Sequence, residues 1–248
     1  MLPTTKETVF TPARFRTLLL VRLCSPLHLD DRTCRCGAPL DAYGFHRSAC
    51  SRIGLLKARG TPVEICAARV CREGGGRVKE NQFLRDLNLE VHPSDGRRIE
   101  VIANGLPLWG GKQIVLDTTV ISALTGKGIA RGRAAGHALK EAKKKKQDTY
   151  SEVVHSRRCH LLVMGFEVAG RWSEEGVAFV RALAKAKAES SPQLLRKSAQ
   201  ILFFQRWTGM LACAVQNAFA ASLLGELPSN TGNLNGDPMR LVVLDRPV

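Results

Sequence analysis

The chain has 248 residues, 44% of them apolar, with 37 Lys and Arg against 22 Asp and Glu, a formal net charge of +15. One large or two small domains with a real core fit that length and apolar content, and the excess of cations favours a polyanion partner, nucleic acid first; a basic protein with no such role is the bland alternative. The eight cysteines are scattered apart from three in one short window, and the opening residues MLPTTKETVF lack an apolar signal core. Together these argue against a secreted disulfide scaffold and for a metal site in a reducing compartment.

Residues 1–33 read as an entry segment, with TLLLVRL (17–23) as a helix turn or a strand. The abrupt start suggests a fragment of a longer protein. The sharpest local signal follows: CRCGAPLDAYGFHRSAC, residues 34–50. Cys34, Cys36, His46 and Cys50 supply four soft donors, the number a tetrahedral Zn²⁺ takes. Gly37, Pro39 and Gly44 shape the connecting loop, and His46 and Cys50 lie one helical turn apart, on one face if the segment is helical. Three free cysteines and a surface histidine are the alternative, with Cys24 and His28 as spare ligands.

The helix carrying His46 should run on through 51–59 and break at Gly60-Thr61-Pro62, with a second helix from Pro62 to the glycines at 74–76. Val63, Ala67, Val70 and Cys71 repeat at helical spacing, which makes Cys66 and Cys71 core or boundary residues, while Glu64 and Glu73 could face a site or solvent. Residues 77–92 read as a strand, or a strand and a turn. Then come two β-branched runs, 99–103 and 114–121, separated by Asn104-Gly105, Pro107 and Gly110-Gly111, a strand–turn–strand pattern. Each run carries one acid, Glu100 and Asp117. A carboxylate in an apolar strand is costly to bury unless a cation or a donor meets it. On neighbouring strands the two could share a divalent metal ion.

Residues 125–158 are strongly basic and read as a helix from Ala134. Lys143, Lys146 and Tyr150 fall on one face by spacing, which allows either a solvated lysine face or a helix that grips phosphates and lends a lysine to the acids. Residues 158–168 read as a strand. Ser173 is a fitting N-cap, with Glu174 and Glu175 in the first turn of a helix reaching Ala188. A long apolar helix is expected over 192–224; its Arg206, Gln205, Gln216 and Asn217 suit burial in a protein better than a membrane. The Gly-, Asn- and Pro-rich tail 225–248 is expected to be poorly ordered, with its LVVL run as a candidate edge strand.

In this order the elements over 62–168 resemble the α-β-β-β-α-β core of the PD-(D/E)XK restriction-like nucleases. With the upstream knuckle, GFHRSAC (44–50), the region 34–170 resembles the downstream part of non-LTR retrotransposon polyproteins, where a Cys/His knuckle precedes a restriction-like endonuclease. Arg98-Ile99-Glu100 stands where that family has Arg-Pro-Asp, and Asp117-Thr118-Thr119 where it has Asp-x-Thr. Thr119 replaces the usual lysine, so the resemblance implies a lysine from the following helix: Lys146 before Tyr150, with Lys143 second. These departures make a degenerate, inactive copy the alternative within the family.

The expected fold is thus α/β, a mixed sheet in a restriction-like core (61–190), preceded by a zinc knuckle (34–60) and followed by a long helix (191–224) and the tail. The resemblance implies a Mg²⁺-dependent DNA endonuclease in the nucleus, with Glu100 and Asp117 on Mg²⁺, Lys146 or Lys143 at the phosphate and Glu64 as an outer contact. Arg97, Arg98, Arg131, Arg133, Lys140, Lys144, Lys145 and Tyr150 would then lie along the DNA, or along RNA. The competing classes are a zinc-dependent nucleic-acid-binding module without chemistry, and an interaction protein using the helices of 174–224.

Overall fold

The two β-branched runs become the middle of a sheet. In the computed structural model, which describes residues 8–27, 33–34, 36–53 and 55–226, the strands are β1 (Arg77–Phe83), β2 (Arg98–Asn104), β3 (Gln113–Ile121) and β4 (Cys159–Glu167). They lie in the order β1-β2-β3-β4, the first two pairs antiparallel and the β3–β4 pair parallel. A parallel pair needs a crossover. Here α4 (His137–Thr149) and α5 (Ser151–His155) supply it. Upstream lie α1 (Pro12–Arg22), α2 (Phe45–Ala49) and α3 (Leu55–Glu73); α6 (Glu174–Ala188) and α7 (Arg196–Leu224) close the described chain. The molecule is therefore mixed α/β, a four-stranded mixed sheet followed by C-terminal helices.

Side chains alternate across the strands, so each face has its own core. Val101, Ala103, Ile114, Leu116, Leu162, Met164 and Phe166 meet α3, α6 and α7 on one face. On the other, Ile102, Val115 and Cys159 pack with Tyr150 and Val153. Cys66 and Cys71 lie in the first core, as their spacing predicts, and burial pushes the Cys71 thiol up to about 12.

Two expectations fail along the chain. The helix carrying His46 does not continue: α2 ends at Ala49, and Cys50 follows in extended conformation. Nor does Pro62 start a helix. It lies inside α3, which runs unbroken past Gly60 and Thr61. An interior proline costs about 3 kcal/mol. Val63, Ala67, Ala68, Val70 and Cys71 are all buried against the sheet and α7, and that packing outweighs the lost hydrogen bond. Residues 17–22 of the 17–23 run are helical, the last turns of α1, and Leu23 is its C-cap. At α6 the Ser173 hydroxyl accepts from the Gly176 N–H, the cap the sequence implies.

Residues 193–224 are long and apolar enough to cross a bilayer by length and composition alone. Much of that apolar surface has a local explanation, since Trp207, Met210, Leu211 and Val215 are buried in the main core. Arg206 in the same helix reaches Glu73 on α3 at 3.0 Å. His28 and the tail run at 241–244 fall outside the described residues.

Candidate metal centre and acid cluster

The knuckle is assembled by backbone turns before any metal is considered. Asp41 accepts from the N–H groups of Tyr43 and Phe45 at 3.0 Å and of His46 at 2.7 Å, which starts α2 and aims the histidine. Gly44, at φ +75°, makes the bend; a Cβ there would come within 2.7 Å of Leu27 and 2.9 Å of Leu223. Cys34 N–H donates to Ala38 O and Gly37 N–H to Cys34 O, both at 2.8 Å, closing the Cys-x-Cys turn. Two arginines tie the knuckle down: Arg47 donates to Leu223 O at the end of α7, and Arg59, buried on α3, donates to Ser48 O, each at 2.7 Å.

The donor atoms of Cys34, Cys36, His46 and Cys50 lie within 4.8 Å of one another. Cys34 Sγ and Cys50 Sγ are 3.8 Å apart, and Cys36 Sγ is 3.3 Å from His46 Nε2. Zn–S bonds of about 2.3 Å at tetrahedral angles place two sulfurs about 3.8 Å apart, and a sulfur and a nitrogen about 3.5 Å apart. The spacing matches a shared Zn²⁺ and is far too long for a disulfide. The backbone N–H of Ala38 draws the half-buried Cys36 thiol down to about 6, toward the thiolate a metal requires, while burial raises Cys34. Cys24 is exposed and stands outside the cluster.

The second site sits where two strands separate. The β2–β3 ladder runs from Ala103–Ile114 to Val101–Leu116 and stops there. At the next position the Glu100 carboxylate takes the Thr118 N–H at 2.6 Å, a side chain standing in for the missing partner strand. Asp117 is fully buried beside it on β3. Lys146, from α4, brings Nζ to 2.7 Å from Asp117 Oδ1 and 2.8 Å from Oδ2. Only Oδ2 receives a well-directed hydrogen bond, and Oδ1 is left buried without a directed donor. The sequence-predicted trio of Glu100, Asp117 and Lys146 is therefore brought together.

Electrostatics follow from that crowding. Burial first, then the charges of Asp117 and Glu64, push Glu100 from 4.5 up to about 8. Burial also raises Asp117, opposed by the Lys146 ammonium. Glu64, on α3, thus lies within electrostatic reach of the pair. Glu73 does not serve the site. It accepts from Arg206, Trp207 Nε1 and Arg69, and these donors, led by Arg206, hold it down at about 2.

Several expected contacts are corrected by the geometry. Lys143 turns away from the acids and pairs with Glu175 of α6 at 2.9 Å, because α4 and α6 flank the edge strand β4. Arg97 is held by Asp95 and Glu152, each at 2.6 Å, and also donates to Thr149 O; it clamps α4 and α5 onto the sheet. Tyr150 is buried, donates to Arg98 O at 3.0 Å and lies 6.0 Å from Lys146 Nζ, so it lines the acid site from below and presents no stacking face to a nucleic acid. The Arg98 guanidinium is exposed over the Phe83 ring, 4.1 Å from its centroid. Arg131, Arg133, Lys140, Lys144 and Lys145 are all exposed.

The sequence reading missed the Thr118 N–H, which ties Glu100 to β3, and Asp41. Asp41 carried a legible signal, an aspartate three residues before a glycine at a helix start. The buried Arg47 and Arg59 carried none. No protein-family model matches the chain, and a search of curated proteins gives no match.

Proposed function

We propose that the chain is a metal-dependent endonuclease domain that hydrolyses phosphodiester bonds in DNA. The observation that carries the reading is the meeting of Glu100, Asp117 and Lys146 where the β2–β3 ladder ends. The order α3-β1-β2-β3-α4-α5-β4 supports it, being the α-β-β-β-α-β order implied by the resemblance to restriction-like nucleases of non-LTR retrotransposons with the short α5 added to the crossover. The donor set fits a hard cation, since carboxylate oxygens are what Mg²⁺ takes. The buried Asp117 Oδ1 lacks a directed donor, and Glu100 presents a second oxygen beyond the one used by Thr118. When bound, such a cation would polarise the phosphate and acidify a water.

The chain's own residues do the rest. Glu100 and Asp117 fix the position of positive charge at the fork. The Lys146 ammonium is held on Asp117 in the resting molecule and is placed to turn toward charge developing on the phosphate. Tyr150 and the β2 backbone close the floor of the site. Exposed Arg131, Arg133, Lys140, Lys144 and Lys145 would meet backbone phosphates without reading sequence.

Plasmid nicking with Mg²⁺ tests the reading. The unmodified chain should nick, and Asp117→Ala and Lys146→Ala should not; equal activity in all three would remove the catalytic claim. A second reading has its own support: the Asp117 charge is already met by the Lys146 ammonium at 2.7 Å, which suits a nucleic-acid-binding module without chemistry. That reading expects salt-dependent DNA binding, no nicking and no effect of Mg²⁺ on stability.

A further inference from the structure

Between β3 and α4 the chain makes a small hairpin. Leu124 and Ala130 form an antiparallel bridge, Thr125 N–H donates to Ile129 O at 2.7 Å, and Arg131 N–H donates to Ala123 O at 2.9 Å. Thr125 Oγ1 accepts from the N–H of Ile129 at 3.2 Å, and Gly128 N–H donates to Thr125 O at 3.0 Å, so the tip is a closed turn. Its exposed side chains include Lys127 and Arg131, followed at once by Arg133.

The tip rests on the knuckle. A Cβ on Gly126 would stand 3.3 Å from His46 Nδ1, and one on Gly128 would stand 2.8 Å from the Phe45 ring. Gly128 is required on two counts, the close approach to Phe45 and its φ of +75°, while a side chain on Gly126 would make a tight contact with His46. The His46 ring is thereby held from both sides. Its Nε2 edge faces Cys36 at 3.3 Å, and its Nδ1 edge faces the hairpin backbone. A ligating histidine depends on what its far edge touches. Here that neighbour is the cationic hairpin leading from the Asp117 strand to the Lys146 helix.

We propose that the Cys34/Cys36/His46/Cys50 centre is the strut of a phosphate clamp formed by Lys127, Arg131 and Arg133. Metal in the knuckle fixes α2, α2 seats the hairpin tip, and the seated hairpin presents its three cations to a nucleic-acid backbone at the segment that joins β3 to α4. The inference rests on the nucleic-acid part of the reading above and not on its chemistry. Loss of the metal would release the hairpin and weaken the grip while leaving the sheet intact.

Two readouts test this without any cleavage assay. The first is trypsin cleavage after Lys127, Arg131 and Arg133 in the full chain, followed by mass spectrometry with Zn²⁺ bound and after chelation. Protection with Zn²⁺ and rapid cutting without it, under conditions where circular dichroism keeps its strand signal, is the expected result. The second is the salt dependence of binding to a DNA duplex. Each phosphate contact contributes about 0.9 to the slope of log affinity against log salt. The triple variant Lys127→Ala, Arg131→Ala, Arg133→Ala should therefore be shallower by about 2 to 3. Gly128→Val keeps every cation and every metal ligand, yet should flatten the slope as the triple variant does. Phe45→Ala, which removes the seat without straining the hairpin backbone, is the companion if the valine variant folds poorly. Equal trypsin rates with and without Zn²⁺, or wild-type slopes in the folded seat variants, would overturn the strut. Weak DNA binding by the unmodified, Zn²⁺-loaded chain would instead overturn the nucleic-acid reading, whatever trypsin reports.

Discussion

Glu100→Gln should stabilise the metal-free protein in mild alkali, and by an amount that the acid cluster sets. Burial and neighbouring acids raise Glu100 from 4.5 to about 8. At about 1.4 kcal/mol per pKa unit the ceiling is roughly 5 kcal/mol. Water and protein relaxation around a partly exposed carboxyl reduce this to about 2 kcal/mol. The sign follows from proton counting. Between 4.5 and about 8 the folded chain keeps a proton that the unfolded chain has released. Unfolding then expels a proton, so wild-type stability falls as pH rises through this window, by up to about 1.4 kcal/mol per pH unit, and stays low above it. Glutamine cannot ionise, and its amide oxygen can still accept from Thr118 N–H. The variant should lose this component of the slope and exceed the wild type by about 2 kcal/mol above pH ~8. Urea denaturation across that range, at constant ionic strength and without divalent cations, measures both curves. Parallel curves would refute the argument, because they would mean that Glu100 does not feel Asp117 or burial. Adding Mg²⁺ at the alkaline end should raise the wild type alone.

Lys146→Ala should cost about 3 kcal/mol at neutral pH, since it strands a buried carboxylate. Asp117→Asn combined with Lys146→Ala should cost less than the lysine change alone, measured as a double-mutant cycle. Lys143→Ala, which loses only the pair with Glu175, should keep Mg²⁺-dependent nicking and cost under about 1 kcal/mol. Cys50→Ser, or chelation, should lower the melting temperature and abolish stoichiometric Zn²⁺ binding in a colorimetric chelator assay. Arg97→Ala should cost about 1–3 kcal/mol in urea unfolding, because it removes the guanidinium shared by Asp95 and Glu152 and leaves Thr149 O without that donor, yet leave the salt slope of DNA binding unchanged.

What was legible in the chain was local. Alternation and turn residues located the two acid strands, and four soft ligands in seventeen positions (34–50) located the knuckle. Helical spacing put Lys146 and Tyr150 on one face, but it could not say which face meets the sheet. A three-residue step along α4 separates Lys146, which faces Asp117, from Lys143, which faces α6. That choice belongs to the packing of α4 against the edge strand. Arg97 read as a DNA contact because a free arginine and a clamped one look alike in sequence; Asp95 is two residues away, but Glu152 comes from the far end of the crossover. The proline at 62 resembles a helix start in sequence because intrinsic propensity carries no information about the core that surrounds α3. The contacts of Gly126 and Gly128 with α2 span some eighty residues of chain and leave no periodic trace.

The resting acid cluster balances its charge with what the chain already has. Asp117 takes an ammonium from Lys146, and Glu100 takes a backbone N–H and, up to about pH 8, a proton. Neither solution is strong. The ammonium directs only one good hydrogen bond at Asp117, and the proton is lost in mild alkali. A fold that needed only stability would do better with apolar residues at both positions, since buried charge rarely repays its desolvation. Carboxylates kept at the one point where β2 and β3 part, with a lysine on a separate helix as a stand-in cation, make sense if a stronger positive charge is meant to enter. On the metal-dependent reading proposed above, the cost of burying these acids is free energy that a bound cation would recover, so stability against pH and Mg²⁺ tests that reading alongside a cleavage assay.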